Sequence, residues 1–206
     1  MNAFISKLKW LLIIPLIFMA VVWVSQNTTR DKLPVLIELP AFDLKTQDGA
    51  PFSKQNLLGH VTLINFIFTS CPTVCPLLTQ RMKSIVSATD NPQLRFVSIS
   101  VDPETDSPNV LKKYGDKFGA DWTKWTFLTG TLGAISEVVV KGFKIVLIRD
   151  KKNTTTSEAK DLFDITHGEH FVLVDKHANI RAYRMIATDT EQTEVLDLLN
   201  DLEKED

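Results

Sequence analysis

The chain has 206 residues, 44% hydrophobic and 23% charged, with 25 acidic against 23 basic side chains for a formal charge of −2. That composition fits one globular domain behind a short leader, and the near-neutral balance gives no electrostatic footprint for nucleic acid. Only two cysteines occur, too few for a disulfide-built scaffold.

Lys7 and Lys9 precede an unbroken apolar run, Trp10 to Val24, with Pro15 inside it and tryptophans near both ends. Its length lies between a signal-peptide core and a full span, and no small-residue cleavage motif ends it. Tryptophans suit the two membrane interfaces, so residues 1–25 are expected to be an uncleaved membrane anchor. A polar linker, 26–37, follows, and a folded domain is expected over 38–206.

Within that domain, Phe42 to Thr46 alternates apolar and polar residues, Gln47-Asp48-Gly49 turns, and Pro51-Phe52-Ser53 returns as a hairpin. Val61 to Phe68 is β-branched and aromatic, as strands are. After it come Cys71-Pro72-Thr73-Val74-Cys75-Pro76, and then Leu78, Met82 and Ile85 at helical spacing, giving a helix over about 76–89. If that helix starts near Pro72, Cys71 and Cys75 sit one turn apart on one face, both able to reach one ligand. A helix N-terminus favours thiolates, which exchange with disulfides or bind a soft metal such as Cu(I). A structural disulfide is the plain alternative.

Leu94 to Val101 is a second strand, ending in the turn-rich Asp102 to Pro108, whose last residues can cap a helix over about 108–118. A short strand at 125–129, a helix at 131–141, a candidate strand at 143–148 and a polar loop at 150–162 come next. Strands at 171–174 and 180–183 flank a turn at 176–179, and a helix over about 189–203 closes the chain. Alternating strands and helices predict an α/β sheet with helices on both faces. In such sheets sites gather beyond the carboxyl ends of strands, so Cys71, Cys75 and Asp102 are expected to meet there.

Four histidines are available as a third ligand. His177 falls in a turn, and His60 precedes the strand whose far end carries the cysteines. His167 and His170 remain; in extended chain they face opposite ways, so one of the two is expected at the site.

Cys71 to Pro76, Ser98 to Pro108, Trp125 to Gly130 and His167 to Asp175 together resemble the Sco/SenC family, in the family's motif order from about residue 38 to 203. The resemblance implies a thioredoxin-like central sheet flanked by helices. It implies a membrane-anchored copper chaperone, rather than an enzyme, that assists the copper site of cytochrome c oxidase. Copper, as Cu(I) or Cu(II), is then held by two cysteines and one histidine, which carries over to Cys71, Cys75 and, by its spacing from Asp175, His167. Thr166 stands where the family usually has Asp. The implied partner is the copper-receiving oxidase subunit, and the implied place is the cell membrane with the domain on the extracytoplasmic, periplasmic side. A thiol–disulfide oxidoreductase using Cys71 and Cys75 is the alternative, and a peroxidase a more distant one.

Overall fold

The computed structural model describes residues 18–19, 32–145, 148–150, 162–164 and 170–205. The chain divides into two compact units, Met1–Leu33 and Pro34–Asp206. Of the first, Phe18 and Met19 are helical and exposed; the expected anchor otherwise lies outside the described residues. Among the described residues no helix is long and apolar enough to cross a membrane.

The second unit is built on an eight-stranded sheet of order β1-β10-β9-β4-β5-β6-β2-β3. Its strands are β1 (Ile37–Glu38), β2 (Asp43–Thr46), β3 (Pro51–Ser53), β4 (Val61–Ile67), β5 (Leu94–Ser100), β6 (Trp125–Thr129), β9 (His170–Val174) and β10 (Asn179–Met185). The central strands β4, β5 and β6 run parallel, and β9 lies antiparallel to β4. All seven residues of β4 are buried, because helices cover both of its faces. On one face Ile64, Phe66, Val97, Ile99 and Val172 join Ile135, Val138, Val139 and Phe143 in a single apolar cluster. The other face is covered by α1 (Val74–Ser87), α2 (Pro108–Phe118) and α4 (Asp189–Lys204). There Leu63, Phe96, Trp125 and Phe127 pack beside a polar stripe: Ser98 donates to Asn65 at 2.6 Å and accepts from the Trp125 indole at 2.9 Å.

The hairpin β2–β3, the strands β4 and β5 and the helices α2 and α4 form where periodicity places them. The helix expected over 131–141 divides instead. The α-helical turn α3 (Leu132–Ser136) passes into a π-helix, Glu137–Gly142, in which the Phe143 N–H reaches back to the Val138 carbonyl at 2.9 Å. That wider turn buries Val138, Val139 and Phe143 together in the core. Lys144 then takes a left-handed φ of 55°, which breaks the extended run expected from 143. The strand forms later, as β7 (Ile148–Asp150), and pairs with β8 (Leu162–Asp164) in a separate two-stranded sheet. The loop expected over 150–162 thus has paired ends, and 151–161 lie outside the described residues.

At the turn joining β9 and β10, Asp175 accepts from the His177 and Asn179 N–H groups, both at 2.9 Å. A bulge at Arg181 shifts the β9–β10 register, and the buried guanidinium bridges Asp175 at 3.1 Å and Glu205 at 2.8 Å. Its Nε donates to the Pro34 carbonyl at 3.3 Å, so this cluster also holds the start of the unit.

Candidate metal centre

Because β4 and β5 are parallel, their carboxyl ends share one rim of the sheet. β9, running the other way, starts at that rim with His170, and β10 ends there with its partner Met185. β4 ends at Ile67, and the chain turns tightly: the Cys71 N–H donates to the Phe68 carbonyl at 3.2 Å. Helix α1 then starts at Val74, with Thr73 (φ −129°, ψ −72°) as N-cap.

The expected helix start near Pro72 is therefore two residues early. Pro76, in the first helical turn, is the proline that suits a helix start, since N–H groups there lack an intrahelical acceptor. Cys75 is helical and buried, 3% exposed, while Cys71 sits in the preceding turn and is part-exposed. Both thiols are unbridged. With Cys71 outside the helix, the two cysteines are not a pair on one helical turn.

The two sulfurs occupy unlike surroundings. The Phe68 N–H donates to the Cys75 sulfur and the Cys75 N–H to the Cys71 sulfur, each at 3.4 Å. Burial works to raise the Cys71 thiol, but N–H groups of Cys75, Thr73 and Val74 and the Cys75 thiol together outweigh it and hold Cys71 below its ordinary value. Cys75 moves the other way. Burial pushes it to about 12; the Phe68 N–H opposes this only in part, and Cys71 and Asp106 add to the rise. At neutral pH Cys71 is the readier thiolate and Cys75 keeps its proton.

The carboxylate beside the pair is Asp106, not Asp102. Asp102 is half-buried and serves through its backbone: its N–H donates to the Ser100 hydroxyl at 3.1 Å and its carbonyl accepts from Thr105 and Asp106. Asp106, fully buried, accepts from the Ser100 hydroxyl at 2.6 Å and from the hydroxyl and N–H of Thr69, the latter at 3.1 Å. Burial raises its pKa, more than these bonds and despite their opposition. The last residues of the 102–108 turn suggest only a helix cap in the sequence. Ser107 is indeed the N-cap of α2, whereas Asp106 turns inward.

Tyr114 is a second neighbour that sequence reasoning did not single out. Its hydroxyl lies 2.9 Å from that of Thr79, which donates to the Cys75 carbonyl at 2.7 Å. Burial pushes the Tyr114 phenol to about 12, with nearby Cys75, Cys71 and Asp106 adding to the effect. Tyr114 reads in the sequence as one aromatic on a helix face, and nothing local marks it.

The histidines separate by rim. His60, whose Nδ1 is buried without a partner, and the exposed His177 lie at the opposite rim, near one another's strands. His170 opens β9 at the cysteine rim. His167 lies outside the described residues. Among the described residues no three His, Cys, Asp or Glu side chains cluster to hold a metal ion. What the rim offers is two thiols, the donor type that soft metals prefer.

Residues 33–202 match the family model described as SCO1/SenC. The chain belongs to the SCO1/SenC family. An SCO1 protein homolog of Bacillus subtilis is 38% identical over 119 residues, 56% of this chain and 62% of that protein. The matched stretch is thus under two thirds of that relative's length. Among solved structures, BsSco, a member of the Sco family of cytochrome c oxidase assembly proteins studied for a disulfide switch, superposes with a TM-score of 0.72 at 28% identity, covering 86% of this chain and all of the other. Yeast Sco1 with copper bound gives 0.66 at 25% identity, covering 83% and 91%. The SCO1/SenC domain of this chain has their thioredoxin-like architecture: a mixed sheet flanked by helices.

Proposed function

We propose that this protein is a copper-binding chaperone that holds copper through Cys71, Cys75 and His167 and passes it to the copper-receiving subunit of cytochrome c oxidase. The observation that carries the reading is the pair of unbridged thiols joined by the Cys75 N–H at the carboxyl ends of β4 and β5. Copper in yeast Sco1 and the oxidase-assembly role of BsSco's family support it. His167 stands three residues in sequence before His170, the first residue of β9, which lies at the cysteine rim. Two thiolates and an imidazole suit Cu(I), and the part-exposed Cys71 leaves a side open to a recipient's ligands.

Copper titration of the full chain tests this beside Cys71→Ser, Cys75→Ser and His167→Ala. Either cysteine variant is expected to lose tight Cu(I) binding while staying folded. His167→Ala is expected to weaken Cu(II) more than Cu(I), because two thiolates still hold Cu(I) linearly. Near-wild-type copper affinity in a folded cysteine variant would sink the proposal. Residues 1–25 are proposed as the anchor and the periplasmic side as the place of the domain. The apolar run Trp10–Val24 supports this. A C-terminal alkaline phosphatase fusion should be active; an inactive but stable fusion would reverse the orientation.

A thiol–disulfide oxidoreductase is the second reading, favoured by the inequality of the thiols. A Cys71 thiolate would attack a partner disulfide, and Cys75, yielding its proton, would resolve the mixed disulfide, leaving partner dithiol and a Cys71–Cys75 bond. Disulfide reduction undiminished in His167→Ala, with no copper retained by the wild type, would select it.

A further inference from the structure

We propose that Asp106 is a positioning residue for the two thiols, acting through the peptide plane between Phe68 and Thr69; its bearing on copper rests on the proposed function above. A peptide unit is rigid, so fixing one end fixes the other. The N–H of this plane, on Thr69, is held by Asp106 at 3.1 Å, and its C=O, on Phe68, accepts the Cys71 N–H at 3.2 Å. The preceding amide, on Phe68, donates to the Cys75 sulfur. One carboxylate thereby orients the turn that sets Cys71 against Cys75. It is anchored from behind: the Ser100 hydroxyl donates to Asp106 at 2.6 Å while accepting from the Asp102 N–H at 3.1 Å. No cation among the described residues pairs with Asp106, so hydroxyl and amide donors alone hold a wholly buried carboxyl. A buried acidic group without a partner ion costs stability, which argues for a task at this position.

Thr69→Val and Asp106→Asn in the full chain test the proposal, with Thr69→Ser as the conservative variant. The readout is equilibrium with glutathione: protein dithiol and oxidised glutathione give the Cys71–Cys75 disulfide and two reduced glutathiones, both thiol protons passing to the glutathione sulfurs. Asp106→Asn weakens the acceptor of the Thr69 N–H and releases the turn, so ring closure must order more chain and the disulfide-forming constant should fall about tenfold. Thr69→Val keeps the N–H bond and loses only the hydroxyl bond, so its fall should be smaller, about threefold. The effects should be less than additive in the double variant, since both act on the bonds between Thr69 and the carboxylate. Thr69→Ser should return to within about twofold of wild type. A constant unchanged in folded Asp106→Asn, or fully additive effects, would overturn the proposal. If Asp106→Asn does not fold, Ser100→Ala, which keeps the carboxylate and removes the hydroxyl that anchors it, decides: an unchanged constant there would overturn the proposal. The equilibrium needs no copper: loss of copper binding by the wild type would end the copper reading and leave this result standing.

Discussion

Two aspartates are buried at opposite rims of the same sheet, and they are held differently. Asp175 meets a cation, the Arg181 guanidinium at 3.1 Å, besides two backbone N–H groups. Asp106 meets only neutral donors, from Ser100 and Thr69, and burial leaves its pKa raised. A carboxylate with its counter-ion and amides satisfied is a staple: it fixes the β9–β10 turn, the end of α4 and the entry of the chain. A carboxylate without one can respond to its surroundings, and this one lies against the cysteine turn. The molecule keeps its rigid electrostatics at one rim and its adjustable groups at the other.

The largest effect should come from breaking the staple. Arg181→Met leaves the buried Asp175 carboxylate without its counter-ion, and removing one partner of such a pair costs about 3–5 kcal/mol. Urea denaturation should show that loss, while the folded fraction keeps wild-type cysteine chemistry. Loss of cysteine chemistry without loss of stability would contradict the division between rims.

A somewhat smaller effect should appear at alkaline pH from the adjustable rim. The folded state holds Cys75 at about 12 against an ordinary 9, so the unfolded chain releases this proton first. The stability tied to the protonated thiol is complete below pH 9 and is lost as pH rises towards 12. Three units correspond to about 4 kcal/mol as an upper figure. Under reducing conditions, stability measured from pH 8.5 to 11 should fall more steeply for the wild type than for Cys75→Ser. Parallel slopes would mean that Cys75 titrates as an ordinary thiol.

The smallest effect should follow Tyr114→Phe. It removes the bond to Thr79 but leaves Thr79 donating to the Cys75 carbonyl, so about 1 kcal/mol of stability should be lost. A loss several times larger would make Tyr114 part of the staple rather than of the tuned rim.

Much of this arrangement is legible in the residues. The apolar run of β4, the i, i+4, i+7 face of α1 and the Ser-Pro start of α2 each declare their element locally, and the two cysteines announce the rim. Other features depend on distant parts of the chain. Asp106 is tied to Thr69, 37 positions away, and only the parallel pairing of β4 with β5 brings them together. Its neighbour Asp102 has the more conspicuous place at the end of the strand, which is why it was the expected carboxylate. The π-helix arises because Val138, Val139 and Phe143 all seek one apolar cluster, a demand of packing that the helical repeat does not display. The start of α1 moved past Pro72 because the Phe68–Cys71 turn takes up those residues first.

The clamp on Pro34 also determines how the domain carries load. The chain enters at the Asp175–Arg181 rim, where β1 pairs with Ile180 and Asn179 and Arg181 grips the Pro34 carbonyl. The cysteine turn lies a full strand away, roughly 20 Å at about 3.3 Å per residue along β4. Tension drawn through the N-terminus is therefore taken up by β1, β10 and the guanidinium before it reaches the thiols. A domain pulled at Pro34 keeps its cysteine turn mechanically quiet.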